Sequence, residues 1–419
     1  MFSDLNKNIT IQLLSLLMVL IVGTSGTLLA QGIQFQEKDI DQLAVEAKKQ
    51  GKLVFVEMYL KGCPHCEALA PVLEENKVGE FFNPKFVSAK YEANAPLSKA
   101  LQEKKKLHYP EFPLFFFFNA DGELIHQASP SDKPTRPEFI EEVIRHANEA
   151  LSPATRTSSY ATRYQNGERN LDFLINYAKY AKTTRDTAQS IALATEFGKI
   201  FVRPDDLEST YGFYVISRFI NDFQNPMAQY FFQHLDTYRS RHGARPAQDA
   251  GENILFQSLY GKGSDKLSSK EITAMRQALE SLGVAPNIAS MRTILKELEA
   301  YFREKNTAAA TARFDEYQAG NLLRTTDYAY LMRFFNDKAP DPAYAEKLIG
   351  WTDKAIKAVN TYDQNKPEVA ELYREQSEAY FRLGKKEEGK KAAEKALAIA
   401  KLAKDKPDSY EKQLAKFSN

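Results

Sequence analysis

The sequence predicts an α/β domain, in which a mixed β-sheet is flanked by helices, followed by an all-helical repeat or bundle domain. Before residue 151, short β-like runs alternate with helical patterns, and beyond residue 160 apolar residues recur almost only at helical spacing. A third observation concerns Cys63 and Cys66, the only two cysteines in 419 residues. They stand where a β-like run gives way to a helical pattern.

Residues 1–30 are predicted to be a secretory signal peptide. An apolar run at 11–22 precedes small and polar residues and a cleavage point after Ala30. An uncleaved membrane anchor is the alternative, but this run covers about 12 residues, whereas about 20 are needed to span a bilayer. We therefore expect a chain secreted across the inner membrane, most simply into a bacterial periplasm, with no membrane association after cleavage.

The composition agrees with a folded, exported protein. Hydrophobic residues make up 43% and charged residues 26% of the chain, and the formal net charge is +1. Disorder is therefore disfavoured. The sequence has no basic stripe for nucleic acid, no glycine-rich phosphate loop and no nucleophilic serine pattern. We expect no nucleic-acid partner and no cofactor.

The domain at 31–150 is predicted from its alternating elements. The last two strands are joined by a hairpin-type turn at Asn119-Ala-Asp-Gly122. The predicted strands cover 52–59, 85–91, 114–118 and 123–127, and the predicted helices cover 40–50, 66–75, 97–106 and 137–150. This order implies a mixed sheet that ends in a hairpin and a helix.

The all-helical domain is predicted at 160–419, after a linker at 151–159 rich in Ser and Thr. Short breaks with Pro, Gly or Asn separate its helical stretches, as in a stack of antiparallel helices. A stretch near 366–402 resembles one tetratricopeptide unit in its spacing of large and small residues, except at Gly389 and Ala393. An irregular bundle is the alternative to a degenerate repeat array.

Cys63-Pro64-His65-Cys66 is the motif that carries chemistry. A pair of thiols at this spacing can form a disulfide, exchange with a partner's disulfide or supply half of a metal site. At a strand-to-helix junction, the backbone N–H groups and the helix dipole favour a thiolate on the first cysteine. The second cysteine lies one turn inside the helix, within reach of a mixed disulfide.

This region resembles the thioredoxin superfamily. Pro71 lies five residues after Cys66, where thioredoxins bend their active-site helix, and Glu57 lies six residues before Cys63, where they hold a buried acid. The resemblance covers about residues 35–150 and implies a thioredoxin-like fold. It departs from the family at Lys61-Gly62, where an aromatic residue usually precedes the first cysteine.

A proline before the third predicted strand adds to the resemblance. Phe112-Pro113 matches the cis-proline that faces the disulfide in this superfamily, and Pro110 is a competing candidate. The resemblance implies that Phe112 and Pro113 bind the substrate chain. Phe112 is bulkier than the usual Thr, Val or Ile and could narrow that groove.

The roles of the site residues follow from the same resemblance. Cys63 is expected to be the nucleophile and Cys66 the resolving thiol, so that the two form the Cys63–Cys66 disulfide. Glu57 is expected to take or relay the proton of Cys66, although a satisfied, half-buried carboxylate is the alternative. The implied function is an exported thiol–disulfide oxidoreductase that acts on protein thiols and disulfides and needs a redox-recycling partner protein.

The direction of electron flow stays open. Pro64 and His65 form the dipeptide found between the cysteines of DsbA-type oxidases, and His65 can favour the Cys63 thiolate. That family is oxidising at about −120 mV, against about −270 mV for thioredoxin. However, the absence of a helical insertion between Glu92 and Pro113 is typical of small thioredoxin-like reductases.

There are two alternatives to this function. A metal site would need ligands beyond Cys63, Cys66 and His65, and the other histidines show no ligand spacing, so no metal is predicted. His126 and His146 are expected to be surface or helix-end residues. The second alternative is a non-catalytic interaction scaffold, in which the helical domain acts and the redox module is regulatory.

Overall fold

A computed structural model describes residues 32–418 of the chain. These residues divide into two compact units, and the division falls between Ile200 and Phe201. The predicted signal segment at 1–30 lies outside the described residues. None of the helices within 32–418 has the length and apolar character needed to cross a membrane.

The first unit contains a four-stranded mixed sheet. Its strands are β1 (Leu53–Tyr59), β2 (Phe86–Glu92), β3 (Leu114–Phe118) and β4 (Leu124–Ala128), in the spatial order β2-β1-β3-β4. β1 pairs parallel with β2 and antiparallel with β3, and β3 pairs antiparallel with β4. Gly122, with φ of 75°, supplies the left-handed residue of the β3–β4 turn. The predicted mixed sheet is therefore confirmed.

The helices of the first unit lie before, between and after these strands. They are α1 (Ile40–Gln50), α2 (Pro64–Leu73), α3 (Asn76–Phe82), α4 (Pro96–Lys105), α5 (Arg136–Leu151), α6 (Tyr160–Gln165), α7 (Leu171–Thr183) and α8 (Thr187–Ile200). A capping box formed by Asp39 and Gln42 starts α1. Helix α3 was not predicted, because seven residues are too few to display a clear 3.6-residue period.

Hydrophobic clusters cover both faces of the sheet. Phe55, Phe115 and Phe117 pack on one face with residues of α2 and α5. On the other face, Val56 and Phe116 pack with residues of α1 and α4. Successive strand residues point to opposite faces, so the continuous run of phenylalanines in β3 supplies both clusters. Each such side chain contributes about 1.5–3 kcal/mol of burial free energy.

Helices α6 to α8 belong to the first unit, although they follow the predicted linker at 151–159. The N–H of His108 donates to the carbonyl oxygen of Thr183 over 2.8 Å, and Lys179 forms an ion pair with Glu111 at 2.9 Å. Within the linker, Thr157 is buried. The amino-acid composition changes near residue 151, whereas the boundary between the two compact units falls after residue 200. A separately folding domain at 160–419 stays a prediction.

The second unit is helical in all its regular elements within residues 201–418, as predicted. Its α-helices are α9 (Pro204–Leu207), α10 (Thr210–Phe219), α11 (Pro226–Gln233), α12 (Leu235–His242), α13 (Ala244–Tyr260), α14 (Ser269–Ser281), α15 (Pro286–Arg303), α16 (Thr307–Gly320), α17 (Thr325–Lys338), α18 (Ala345–Ala358), α19 (Pro367–Arg382), α20 (Lys386–Leu402) and α21 (Asp408–Ala415). Pairs of neighbouring helices pack together in a repeat-like arrangement.

The tetratricopeptide-like stretch at 366–402 forms the packed pair α19 and α20. Its departure at Gly389 has a packing reason. A Cβ atom at Gly389 would lie 2.4 Å from the ring of Phe417, which is buried. The carbonyl oxygen of Gly389 also accepts a hydrogen bond from the hydroxyl of Ser377 over 2.8 Å. The glycine therefore makes room for an aromatic side chain that follows the last helix.

Candidate active site

The two cysteines lie at the junction between β1 and α2. Gly62, with φ of 79°, turns the chain into the helix, and Cys63 is the N-cap residue with an extended backbone. Pro64 occupies the first helical position, where its missing N–H would have had no intrahelical partner. The junction predicted from the sequence is present, with the helix beginning two residues earlier than predicted.

The thiols are close together and differ in exposure. The two cysteines lie 3.2 Å apart, and both are free thiols in this structure. Cys63 is half-buried, whereas Cys66 is buried. The Cys63 thiol donates to the carbonyl oxygen of Phe112 over 3.7 Å. One sulfur therefore reaches the surface while the other lies behind it.

The carbonyl group of Phe112 contacts the first thiol, and Pro113 follows it in the chain. The Phe112–Pro113 peptide bond is cis, and Pro113 is buried at the start of β3 while Phe112 is half-buried. The contact from Cys63 to Phe112 connects the beginning of α2 with the beginning of β3. Binding of a substrate chain by these two residues stays a prediction.

The environment of Cys66 keeps its thiol protonated. Burial is the main cause, and it raises the pKa of Cys66 to about 12. A backbone hydrogen bond with Leu60 acts in the opposite direction, while the neighbouring Cys63 and the carboxylate of Glu57 raise the pKa further. Cys66 can therefore act as a nucleophile only if a base removes its proton.

Glu57 is fully buried in β1 and has few partners. Lys90 stands opposite it in the parallel pair β1–β2, and its Nζ lies 3.3 Å from Glu57 Oε2. Within the described chain, neither carboxylate oxygen makes a hydrogen bond of good geometry. Burial raises the pKa of Glu57 to about 7, although Lys90 opposes that rise. Glu57 is therefore not the satisfied, half-buried carboxylate of the alternative interpretation.

Lys90 itself was missed by the sequence analysis. Its ammonium group lies 4.8 Å from the centre of the Tyr59 ring, and its side chain is 28% exposed. Only the register of β1 against β2 places it beside Glu57. The alternation of strand residues was visible in the sequence, but the register was not.

His65 is exposed and paired with a residue far along the chain. Its Nδ1 lies 2.6 Å from Oδ2 of Asp132, in the segment between β4 and α5. The side chains are 64% and 49% exposed. Within residues 32–418, Asp132 is the hydrogen-bonding partner of this ring, and no sequence pattern pointed to it.

Pro71 lies inside α2 and is contacted by the same segment. Its carbonyl oxygen accepts a hydrogen bond from Nη2 of Arg136 over 2.8 Å. Arg136 also forms an ion pair with Glu75, just beyond the end of the helix. Helix α2 is thus held from the side by Arg136, the first residue of α5.

A second ionisable cluster lies between β4 and α5. His126 and His146 were predicted to be surface or helix-end residues, but they are only 2% and 8% exposed, and His126 lies in a strand, so neither is a surface residue. Nδ1 and Nε2 of His146 each lie 3.1 Å from a carboxylate oxygen, of Glu149 and Glu142 respectively. Arg145 pairs with both acids. Burial opposes ionisation of Glu142, but hydrogen bonds from His146 and Arg145 outweigh it and lower its pKa.

The spacing in this cluster would suit a metal ion, but its hydrogen bonds do not. Ligand atoms of His126, His146 and Glu149 lie within 4.8 Å of one another. However, the N–H of Thr157 donates to Nδ1 of His126 over 3.2 Å, so in the neutral ring Nε2 carries the proton and offers no lone pair. Arg145 already balances the acids. We assign no metal to this cluster.

Burial lowers the pKa of His126 to about 3. Its Nε2 lies 3.7 Å from Oε2 of Glu149 and has no hydrogen-bond partner of good geometry in the described residues. His126 is therefore a neutral core residue at ordinary pH. Its place in β4, against the buried Thr157, accounts for its burial.

The chain was compared with protein-family models and with curated protein sequences. Neither comparison finds a match. The function therefore has to be inferred from the residues of this chain and their geometry.

Proposed function

We propose that this protein is an exported thiol–disulfide oxidoreductase that exchanges disulfides with partner proteins through Cys63 and Cys66. One observation carries the proposal. The only two cysteines of the chain lie 3.2 Å apart, one half-exposed and one buried. Such a pair can form a mixed disulfide with a partner through the outer sulfur and release it through the inner one.

The surrounding elements support a thioredoxin-like frame for this chemistry. The dithiol follows β1 at the start of α2, Pro71 lies within that helix, and a cis X-Pro peptide adjoins the first sulfur. Pairing of β1 with β2 and β3 places the site at the end of the central strands. We therefore propose that residues 31–150 have a thioredoxin-like fold.

The reaction can be written with atoms and electrons balanced. The Cys63 thiolate attacks one sulfur of a partner disulfide, the partner S–S bond breaks, and the other partner sulfur leaves as a thiolate that takes up a proton. Cys66 then loses its proton and attacks Cys63, which releases the second partner sulfur. The Cys63–Cys66 disulfide has formed, and two electrons have passed to the partner. Oxidation of a partner is the same sequence reversed.

Glu57 is the base that this sequence needs. The Cys66 thiol has a pKa of about 12, so it does not ionise unaided at neutral pH. Glu57 is close enough to affect that pKa, and its own pKa of about 7 leaves part of the population ionised and able to accept a proton. Lys90 stabilises the ionised form.

The direction of exchange depends on the reduction potential of the pair. Pro64 and His65 favour an oxidase, whereas the short connection between β2 and β3, which holds only α4, favours a reductase. Equilibration with glutathione buffers measures the potential. A value near −120 mV would indicate an oxidase, and one near −270 mV a reductase. Either direction requires a recycling partner protein.

The first test concerns the roles of the two cysteines. Cys66→Ala should accumulate mixed disulfides with partner proteins, which non-reducing gels of exported extracts would resolve. Cys63→Ser should accumulate none. Equal trapping by both variants would contradict the assigned roles, and absence of the protein from the exported fraction would contradict the proposed location.

The second test separates an enzyme from a scaffold. An interaction scaffold with a regulatory redox module is the alternative, and the helical second unit favours it because paired helices offer binding surfaces. We propose that the helical region docks partner proteins in either case. The purified full chain should reduce insulin with turnover in the presence of dithiothreitol. A folded wild-type chain without turnover would favour the scaffold.

A further inference from the structure

Asp132 makes the contact with His65 that links the dithiol to a distant segment. The carboxylate oxygen lies 2.6 Å from Nδ1, which is a short, charge-assisted distance for a hydrogen bond. Because an ionised carboxylate only accepts, Nδ1 must carry the proton in this contact. The other ring nitrogen, Nε2, is then the atom that can gain or lose a proton.

The segment that carries Asp132 is fixed to the active-site helix at a second point. Arg136 donates to the carbonyl oxygen of Pro71 over 2.8 Å. Between the two contacts, Thr135 and Glu138 form a capping box that sets the backbone at the start of α5. Asp132 therefore reaches His65 from an anchored backbone, and both contacts hold α2.

We propose that Asp132 is a positioning residue of the dithiol site, which holds His65 with Nδ1 protonated so that Nε2 exchanges protons with the sulfur of the partner. This inference rests on the proposed disulfide exchange. It assigns to Asp132 a role that acts through His65.

The proton transfer completes the exchange step. When Cys63 attacks a partner disulfide, the departing partner sulfur takes the proton from Nε2 of the doubly protonated ring. In the reverse of this step, the protonated partner thiol gives its proton to Nε2 of the neutral ring, and the resulting thiolate attacks the partner sulfur bound to Cys63, so that the mixed disulfide breaks and Cys63 leaves as a thiolate. Asp132 keeps its hydrogen bond to Nδ1 in both directions, so that one nitrogen alone changes its protonation.

The protonation of the ring can be measured without any enzyme assay. We would label the histidines of the full chain with ¹⁵N, identify the His65 signals by their loss in His65→Ala, and record spectra over a range of pH up to the one at which these signals show a neutral ring. Nδ1 should be protonated in the wild type. In Asp132→Ala the proton should move mainly to Nε2, whereas Asp132→Asn, which keeps an acceptor oxygen, should preserve the wild-type pattern.

Asp121→Ala is the matched control. Asp121 is also an exposed acid in an ion pair of the first unit, with Lys48 at 2.9 Å. Its loss should leave the His65 signals unchanged. Unchanged Nδ1 protonation in Asp132→Ala, or an equal change in Asp121→Ala, would overturn the inference.

Exchange with glutathione disulfide tests the consequence for reactivity, because its alkyl thiolate needs a proton on leaving. Asp132→Ala should slow formation of the mixed disulfide about two- to five-fold, the range that an exposed ion pair supports. In the His65→Ala background the same change should have no effect. An equal slowing in both backgrounds would contradict a role through His65.

The two proposals fail in different ways. If the wild type does not turn over insulin but the ring protonation and glutathione exchange respond to Asp132→Ala as expected, the enzyme proposal fails and the positioning role stands. If the wild type turns over insulin, and Asp132→Ala has the same ring protonation and the same rate of glutathione exchange as the wild type, only the positioning role fails.

Discussion

Two glutamates are fully buried, one in each unit, and they have very different surroundings. Glu297, in α15, contacts Nε of Arg276 at 2.9 Å and the guanidinium of Arg313, and it accepts a hydrogen bond from the hydroxyl of Thr293 over 2.9 Å. Glu57 has an ion pair with Lys90 at 3.3 Å and no hydrogen bond of good geometry.

The two carboxylates differ in how many donors offset the cost of their burial. Several donors offset the desolvation of Glu297, as a buried ion pair requires. Glu57 lacks this compensation, so its pKa rises to about 7 and its proton is available near neutral pH. Perturbed carboxyl groups of this kind concentrate at functional sites, and Glu57 lies in the unit that holds both thiols.

The largest expected effect is the loss of stability of the second unit when Glu297 is replaced by alanine. Glu297→Ala leaves Arg313, which is 6% exposed, and Arg276 without their shared partner, and such a loss costs about 3–5 kcal/mol. Fluorescence of Trp351, the single tryptophan of the chain, reports urea unfolding of the second unit. Glu316→Ala, which removes a 70% exposed partner of Arg313, is the control and should change little. Similar losses of stability in Glu297→Ala and Glu316→Ala would contradict the structural role assigned to the buried carboxylate of Glu297.

Glu57→Gln should have the opposite sign. Glu57 is protonated in the folded state up to its pKa of about 7, whereas in the unfolded chain it ionises above about 4.5. Stability is therefore lost as the pH rises from about 4.5 to 7, by about 3 kcal/mol at 1.36 kcal/mol per pKa unit. Glu57→Gln should remove this loss and stabilise the first unit at pH 8.

Hydrogen exchange of the amides in β1 and β3 measures that stability. Exchange should be slower in Glu57→Gln than in the wild type at pH 8, after correction for the intrinsic rate. Glu37→Gln, at an exposed site of the same unit, is the control. Faster exchange in Glu57→Gln would mean that the ionised carboxylate stabilises the fold, as Glu297 does.

The next effect concerns His126, whose pKa of about 3 lies below the ordinary value of about 6.5. Protonation favours the unfolded chain, so stability falls as the pH drops below 6.5. In the wild type Glu57 opposes this trend between about pH 4.5 and 6.5. In Glu57→Gln, a decrease of about 2 kcal/mol between pH 6.5 and 5 should appear. The slope should become much shallower on adding His126→Gln, with a remainder from His108, whose pKa burial also lowers; an unchanged slope would assign it to another group.

The smallest effect is expected from Lys90→Met. Lys90 holds down the pKa of Glu57, so its removal should move that pKa above about 7 and shift the pH-dependent loss of stability upward. The change at pH 8 should stay below about 1.4 kcal/mol, one pKa unit. Infrared titration of the buried carboxyl measures the pKa directly, with Lys49→Met as the exposed control. A downward shift would contradict the role assigned to Lys90.

The strands were predictable because their signals are local. Each of β1 to β4 lies within one residue of its predicted bounds, since runs such as 114–118 combine β-forming residues with turns at their ends. Cys63, Cys66 and the cis peptide at Pro113 were placed by local motifs in the same way. Helix α5 (Arg136–Leu151) also lies within one residue of its predicted bounds, whereas the short helix α3 fell outside the reach of such patterns.

Residues that depend on tertiary register were missed. Lys90 reaches Glu57 through the pairing of β1 with β2, and Asp132 reaches His65 across 67 positions of sequence. His126 was misjudged because histidine tolerates both surface and core positions, and the burial of β4 under Thr157 could not be foreseen from its own sequence. The burial of Glu57 was expected, but its lack of a hydrogen bond of good geometry was not.

The raised pKa of Glu57 also means that identical chains are not in identical states. Because burial raises its pKa to about 7, this carboxyl is protonated in part of the population near neutral pH, whereas an ordinary glutamate would be almost wholly ionised. A modest change in the acidity of the surroundings would therefore alter the proportions of the two forms. Under the proposed mechanism, the fraction of molecules whose Glu57 can accept the proton of Cys66 therefore depends on the acidity of the compartment.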